Sequence, residues 1–288
     1  MASLNKCTRN AANSDTIKTM KLYTDIDRIK TELASRNMTS PIDPIALSEI
    51  DSMHYLGNAA IQAAVDTMDL DSKSRVLDVG SGFGGPARIL TTLSNCKVKA
   101  LELQQDIHQL ATELTSRCNL SDYVDHLNGD ILNDVVVNQL GEKAFDAIVS
   151  YLVFLHIPNK AALFDVCSKL LKSNGYVFIE DFYCISQFTN SEVASLEKDV
   201  FCKDLASKDK YIRHLQFSGF QNIQFIDMTQ EWTQYVTNRL EQFISNKERY
   251  THVHGDDTYS GMLEFYTAVA ALFNGKNLGG VRIIAQKK

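Results

Sequence analysis

Short apolar runs alternate with amphipathic stretches through the middle of the chain. RVLDV at 75–79, VKAL at 98–101, HLNG at 126–129, FDAIVS at 145–150 and YVFIEDF at 176–182 are runs of four to seven residues, most of them rich in β-branched or aromatic side chains. Runs of this kind suit strands buried on both faces. Between them, 86–94, 105–117 and 160–171 carry apolar residues at helical spacing. Strand and helix in repeated alternation predict an α/β fold, doubly wound around a mostly parallel sheet.

The flanks read differently. Residues 1–44 are polar and hold Pro41 and Pro44, which predicts an arm or lid, with Tyr23 in KLYTD as a residue that could fold over a ligand. From 45 to 68 apolar residues recur at helical spacing, enough for one or two N-terminal helices ahead of the core. Past Asp181 the pattern is mostly helical over about 189–217. An extended NIQFI at 222–226 follows, then amphipathic helices near 230–250 and 259–273, and a last strand-like VRIIAQ. The expected division is an arm at 1–44, a ligand-binding core at 45–188, and a helical cap with sheet completion at 189–288.

Charge narrows the partners. Lys and Arg number 29 against 35 Asp and Glu, a formal net charge of −6, so no basic field exists to draw in a phosphate backbone and nucleic acid is not an expected partner. No run approaches the roughly 18 apolar residues that cross a bilayer. The N-terminus lacks the apolar centre of a secretory signal, so a cytoplasmic location is expected. Six cysteines without a CxxC pair read as reduced thiols rather than disulfides or zinc ligands. His252 and His254, close to Asp256 and Asp257, read as a polar loop, and no metal is expected.

The chemistry concentrates at Asp78-Val-Gly80-Ser81-Gly82-Phe83-Gly84-Gly85, where a buried strand runs at once into a glycine-rich turn and a helix. Glycines let a backbone approach a ligand closely. The spacing departs from the dinucleotide fingerprint GxGxxG in its third glycine. A pyrophosphate favours free amides at a helix start, and a carboxylate aimed at the turn opposes it. Asp78 therefore favours a ligand with positive charge and no phosphate, such as S-adenosyl-L-methionine. Glu102, ending the next strand in ALEL, is placed to hold paired ribose hydroxyls, unless it is a solvated loop residue. Asp130 in NGDIL could accept from an adenine amino group with Ile131 packed on the ring, or could cap a helix.

Taken together, VLDVGSGFGG, ALEL, NGDIL, FDAIVS and LLKSNGYVFIEDF resemble the class I S-adenosylmethionine-dependent methyltransferases over roughly residues 54–184. The resemblance implies a Rossmann-like, seven-stranded sheet whose last strand is antiparallel. It places cofactor contacts at Asp78, Gly80, Ser81, Gly82, Gly84, Glu102, Leu103, Asp130, Ile131 and Ser150, with Tyr55 reaching in from upstream. His54-Tyr55-Leu56-Gly57, GGPAR and FLHIPNKAALF are similar to the phosphoethanolamine and sarcosine/dimethylglycine N-methyltransferase branch, which implies a small-molecule acceptor, most naturally an amine.

His156 and Tyr151 are the candidate catalytic residues: an imidazole after the fourth strand could accept, relay or orient a proton, or be a satisfied structural histidine. One departure bears on the acceptor. The amine-methylating relatives usually carry an aspartate four residues before this histidine, where this chain has Leu152. Two alternatives stay open: methylation of carbon or oxygen on a quinone, sterol or other lipid-like acceptor, and a catalytically silent cofactor-binding module. Oligomeric state is not legible.

Overall fold

The computed structural model describes residue 20 and residues 25–288; Tyr23 lies outside the described residues. Three helices precede the sheet: α1 (Arg28–Ser35), α2 (Pro44–Asp51) and α3 (Asn58–Met68). Pro44 at the first helical position and the Asp43 carboxylate accepting from the Ile45 amide start α2. The apolar run at 45–68 is broken between α2 and α3, where Leu56 and Gly57 both take positive φ. Within the segment expected as an arm, α1 buries Ile29 and Leu33 against Leu47, Phe83, Ile107 and Leu110.

Then come β1 (Arg75–Val79), α4 (Gly85–Ser94), β2 (Lys97–Glu102), α5 (Gln105–Arg117), β3 (Val124–Asn128), α6 (Asp134–Leu140), β4 (Phe145–Tyr151), α7 (Lys160–Leu170) and β5 (Leu171–Cys184). The cap and last strands are α8 (Asn190–Lys198), α9 (Lys208–Phe217), β6 (Phe220–Asp227), α10 (Thr229–Ser245), α11 (Lys247–His254), α12 (Asp256–Asn274) and β7 (Leu278–Lys287). The stretch expected as one helix near 230–250 is two. Asn246 ends α10, its side-chain amide donating to the Gln242 carbonyl, a competition with helix bonding that short polar side chains favour.

Seven strands form one sheet in the order β3, β2, β1, β4, β5, β7, β6, and β7 runs antiparallel to both its neighbours. The expected doubly wound, mostly parallel sheet with an antiparallel last strand is what the chain forms. Central β1 is buried along its length after Arg75, the edge strand β6 alternates between inside and outside, and both match their apolar patterns. One face is covered by α6, α7 and α9 through Leu140, Phe164 and Leu215. The other is covered by α3 and α4 through Ile61, Val65 and Leu90. A third cluster joins Trp232, Phe273 and Leu272 of the cap to Tyr55 and Phe182. Among the described residues, no helix is long and apolar enough to cross a membrane.

The strand order reverses beside β1, which pairs with β2 on one side and β4 on the other. In such sheets the crevice beyond the carboxyl ends at that reversal is where ligands sit. Asp78, Glu102 and Tyr151 all lie at those ends.

Candidate active site

The glycine turn is held by its neighbour strand. The Gly80 and Ser81 amides both donate to the Leu101 carbonyl, at 2.8 and 3.0 Å, and the Gly84 amide to the Ser81 carbonyl at 2.9 Å. The Gly82 amide donates to a Glu102 carboxylate oxygen at 3.0 Å. These four amides are therefore unavailable to an anion, and a phosphate brought to the turn would meet the Glu102 carboxylate. Gly80 sits at φ +72°, and a Cβ there would lie 2.4 Å from the Val153 side chain, so only glycine fits.

Two cavities flank this turn and share Gly80, Val153 and His156. One, of about 590 Å³, is lined by Glu102, Leu103, Gln104, Asp130 and Ile131. The other, of about 750 Å³, is lined by Tyr55, Ser81, Gly82, Tyr151, Leu152 and Phe182, among others. Most of the residues singled out from the sequence thus come together around one cleft. Three do not line it. Asp78 is 1% exposed beneath the turn. Gly84, at φ +80°, starts α4 against Arg88 and His126. Ser150 is fully buried, its hydroxyl donating to the Val79 carbonyl at 3.0 Å, which ties β4 to β1.

The two acids at the strand ends are desolvated. Burial first, and the nearby Glu102 second, push the Asp78 carboxyl up to about 8, and its Oδ2 has no hydrogen-bond partner. Burial also raises Glu102, against the lowering pull of bonds from the Gln104 and Gly82 amides. A ligand offering a cation or hydroxyl donors suits this pair. Asp130 closes a local turn, its Oδ1 accepting from the Leu132 amide at 2.8 Å; the cap of α6 is Asn133.

On the other side, His156 sits in a short 3-10 turn, Phe154–His156. Its Nδ1 lies 3.3 Å from the Phe201 carbonyl; a carbonyl only accepts, so Nδ1 carries the proton and Nε2 is left as the acceptor nitrogen. Burial lowers the imidazole to about 4, so it is neutral at physiological pH. The Tyr151 hydroxyl is buried without a hydrogen-bond partner and its ring lies 5.2 Å from that of His54. Tyr55 packs edge-on to Trp232 at 4.9 Å, so the cap reaches the cleft through it.

The sequence reading missed several residues here. Lys160 is 3% exposed and donates to the Phe154 and Ile157 carbonyls at 2.8 and 2.6 Å, which fixes the turn that bears His156. A lysine inside an apolar helix start was the available signal. Asp51 and Arg88, both buried, form an ion pair between α2 and α4. Arg239 of α10 lines the larger cavity. Neither of these has a local pattern that announces it.

Residues 77–179 match a family described as methyltransferase domain. The glycine/sarcosine/dimethylglycine N-methyltransferase of Actinopolyspora halophila is 26% identical over 188 residues, covering 65% of this chain and 32% of its own. A phosphoethanolamine N-methyltransferase of Triticum aestivum is 28% identical, covering 71% and 40%. That of Plasmodium falciparum is 25% identical over 72% of this chain and 77% of its own length. The chain therefore spans about a third to two fifths of the first two relatives. In structure, phosphoethanolamine N-methyltransferase 2 of Haemonchus contortus aligns with a TM-score of 0.78 at 18% identity, over 95% of this chain and 59% of that one. The strand order and the match over 77–179 agree: the chain carries a methyltransferase domain, built on a Rossmann-like sheet with the glycine turn held by Glu102.

Proposed function

We propose that the protein methylates a nitrogen of a small metabolite, with S-adenosylmethionine as the donor. The observation that carries this reading is the pair of cavities meeting at Gly80, Val153 and His156, one bordered by acids and the other by aromatic and aliphatic side chains. The cofactor supplies a methyl group on a sulfonium, ready for in-line displacement. Glu102 and Asp130 would hold its nucleoside. The unpartnered carboxyl of Asp78, beneath the turn, would favour its positive end. The relatives named as phosphoethanolamine and glycine/sarcosine/dimethylglycine N-methyltransferases support a small amine-type acceptor.

This chain's contribution is alignment and exclusion of water. Tyr55, Tyr151 and Phe182 wall the larger cavity, and the Trp232 cluster closes behind them. Desolvation and orientation of two reactants are worth several kcal/mol of barrier on the order of measured effective molarities. His156, neutral and fixed at Nδ1 by Phe201, orients the acceptor through Nε2 rather than storing a proton.

Calorimetry with S-adenosylhomocysteine, followed by isotope-labelled methyl transfer into separated polar and lipid extracts, tests this. Binding, with label in a polar nitrogen compound, is expected. Label confined to the lipid fraction would establish the second reading, methylation of a lipid-like acceptor, which the aliphatic lining by Leu152, Val153 and Leu155 favours. Binding without label anywhere would mark a silent module.

A further inference from the structure

We propose that Arg239 selects the methyl acceptor by binding an anionic group on it, a carboxylate or a phosphate, while the reacting nitrogen enters uncharged. This rests on the methyltransferase reading above.

Arg239 lines both the larger cavity of the cleft and an adjoining polar cavity of about 870 Å³. Its Nη2 donates to the Tyr266 hydroxyl at 2.9 Å, and its guanidinium carbon lies 4.3 Å from the centre of that ring. No carboxylate among the described residues pairs with it. The acids lining the two cavities each face another cation: Asp51 binds Arg88, Glu49 binds Arg36, and Glu32 binds Arg36 and Arg249. The acids are matched and this guanidinium is not. A guanidinium has five donors in a planar fork suited to a carboxylate or phosphate, and this one commits one of them to a neutral hydroxyl.

The same cavity offers an ammonium no carboxylate that lacks a cation of its own. Leu152 brings an aliphatic side chain, His54 and His156 are held neutral by burial, and Asp51 is ion-paired with Arg88 through Oδ2, only its Oδ1 being without a partner. An alkylammonium would share the space with the Arg239 charge. The acceptor that fits is an anion whose nitrogen is weakly basic, as in an aryl or heteroaryl amine. Its lone pair forms the N–C bond as the C–S bond breaks, with that electron pair left on sulfur. The proton then leaves the weakly basic product nitrogen to water, so no strong base is required of the protein.

Calorimetry on protein saturated with S-adenosylhomocysteine tests this, with 2-aminobenzoate and phenyl phosphate as anions, aniline as the neutral counterpart and benzylammonium as the cation. In the wild type at least one anion should bind roughly tenfold or more tighter than aniline and benzylammonium. Arg239→Met should abolish that preference and Arg239→Lys should keep part of it; which anion binds better identifies the group. Benzylammonium binding as well as the anions, no anion binding, or an unchanged preference in Arg239→Met would overturn the assignment while leaving the methyltransferase reading intact. Failure of the wild type to bind S-adenosylhomocysteine would overturn both. Retained S-adenosylhomocysteine affinity in the variants shows that they fold; should Arg239→Met lose it, the wild-type preference and its reduction in Arg239→Lys decide.

Discussion

Asp78 is folded at a cost that a ligand can remove. Its carboxyl rises from 3.8 to about 8 on burial, so the group favours the folded state fully below about pH 4 and that contribution is lost as the pH climbs through 8. Thermal melts without ligand should fall between pH 5 and 9, and Asp78→Asn should flatten the fall while weakening S-adenosylhomocysteine binding. Unaltered affinity in Asp78→Asn would remove this residue from the cofactor site. Leu152 carries a different tension, since a bulky residue at φ +58° is disfavoured by about 1 kcal/mol or more, whereas aspartate tolerates that conformation. Leu152→Asp should fold and should admit alkylammonium acceptors that the wild type rejects, measured as turnover on a panel of amines. Asp78 and Glu102 were legible because each ends an apolar run beside a turn. Arg239 was not, because its meaning comes from what surrounds it in space.

At the scale of elements, the segment after β4 depends on a helix to hold it. Lys160, at the start of α7, clamps the Phe154 and Ile157 carbonyls around His156. Lys160→Met keeps the length of the side chain and removes both bonds. Stability should drop by about 1–3 kcal/mol, and kcat should fall more than KM changes, because the lost property is the placement of His156. Steady-state kinetics alongside denaturant titration separates the two effects. Strands and helices of the core were readable from periodicity, and α5 occupies the span its pattern predicts. The breaks were harder to read. The gap between α2 and α3 comes from two positive-φ residues, and that between α10 and α11 from one asparagine, neither of which interrupts the apolar spacing. The Asp51 and Arg88 pair joins residues 37 apart in sequence, a separation at which no window of periodicity operates.

The whole molecule is organised by an exchange of order along the sheet. β7, the last strand in sequence, lies inside it between β5 and β6, and Glu180 on β5 meets Arg282 on β7 across 102 residues of chain. A parallel sheet was legible from alternating elements, and its antiparallel member from family likeness; neither local propensity nor composition would have placed the final strand in the interior. Until that strand arrives, β5 presents an open, largely apolar margin to whatever is nearby, a hazard that long-range pairing prolongs. A chain ending at 277 should accumulate in inclusion bodies or on chaperones, as fractionation after expression would record, whereas the full chain should not. Protein quality control, rather than catalysis, would then be the first to register a lesion in residues 278–288.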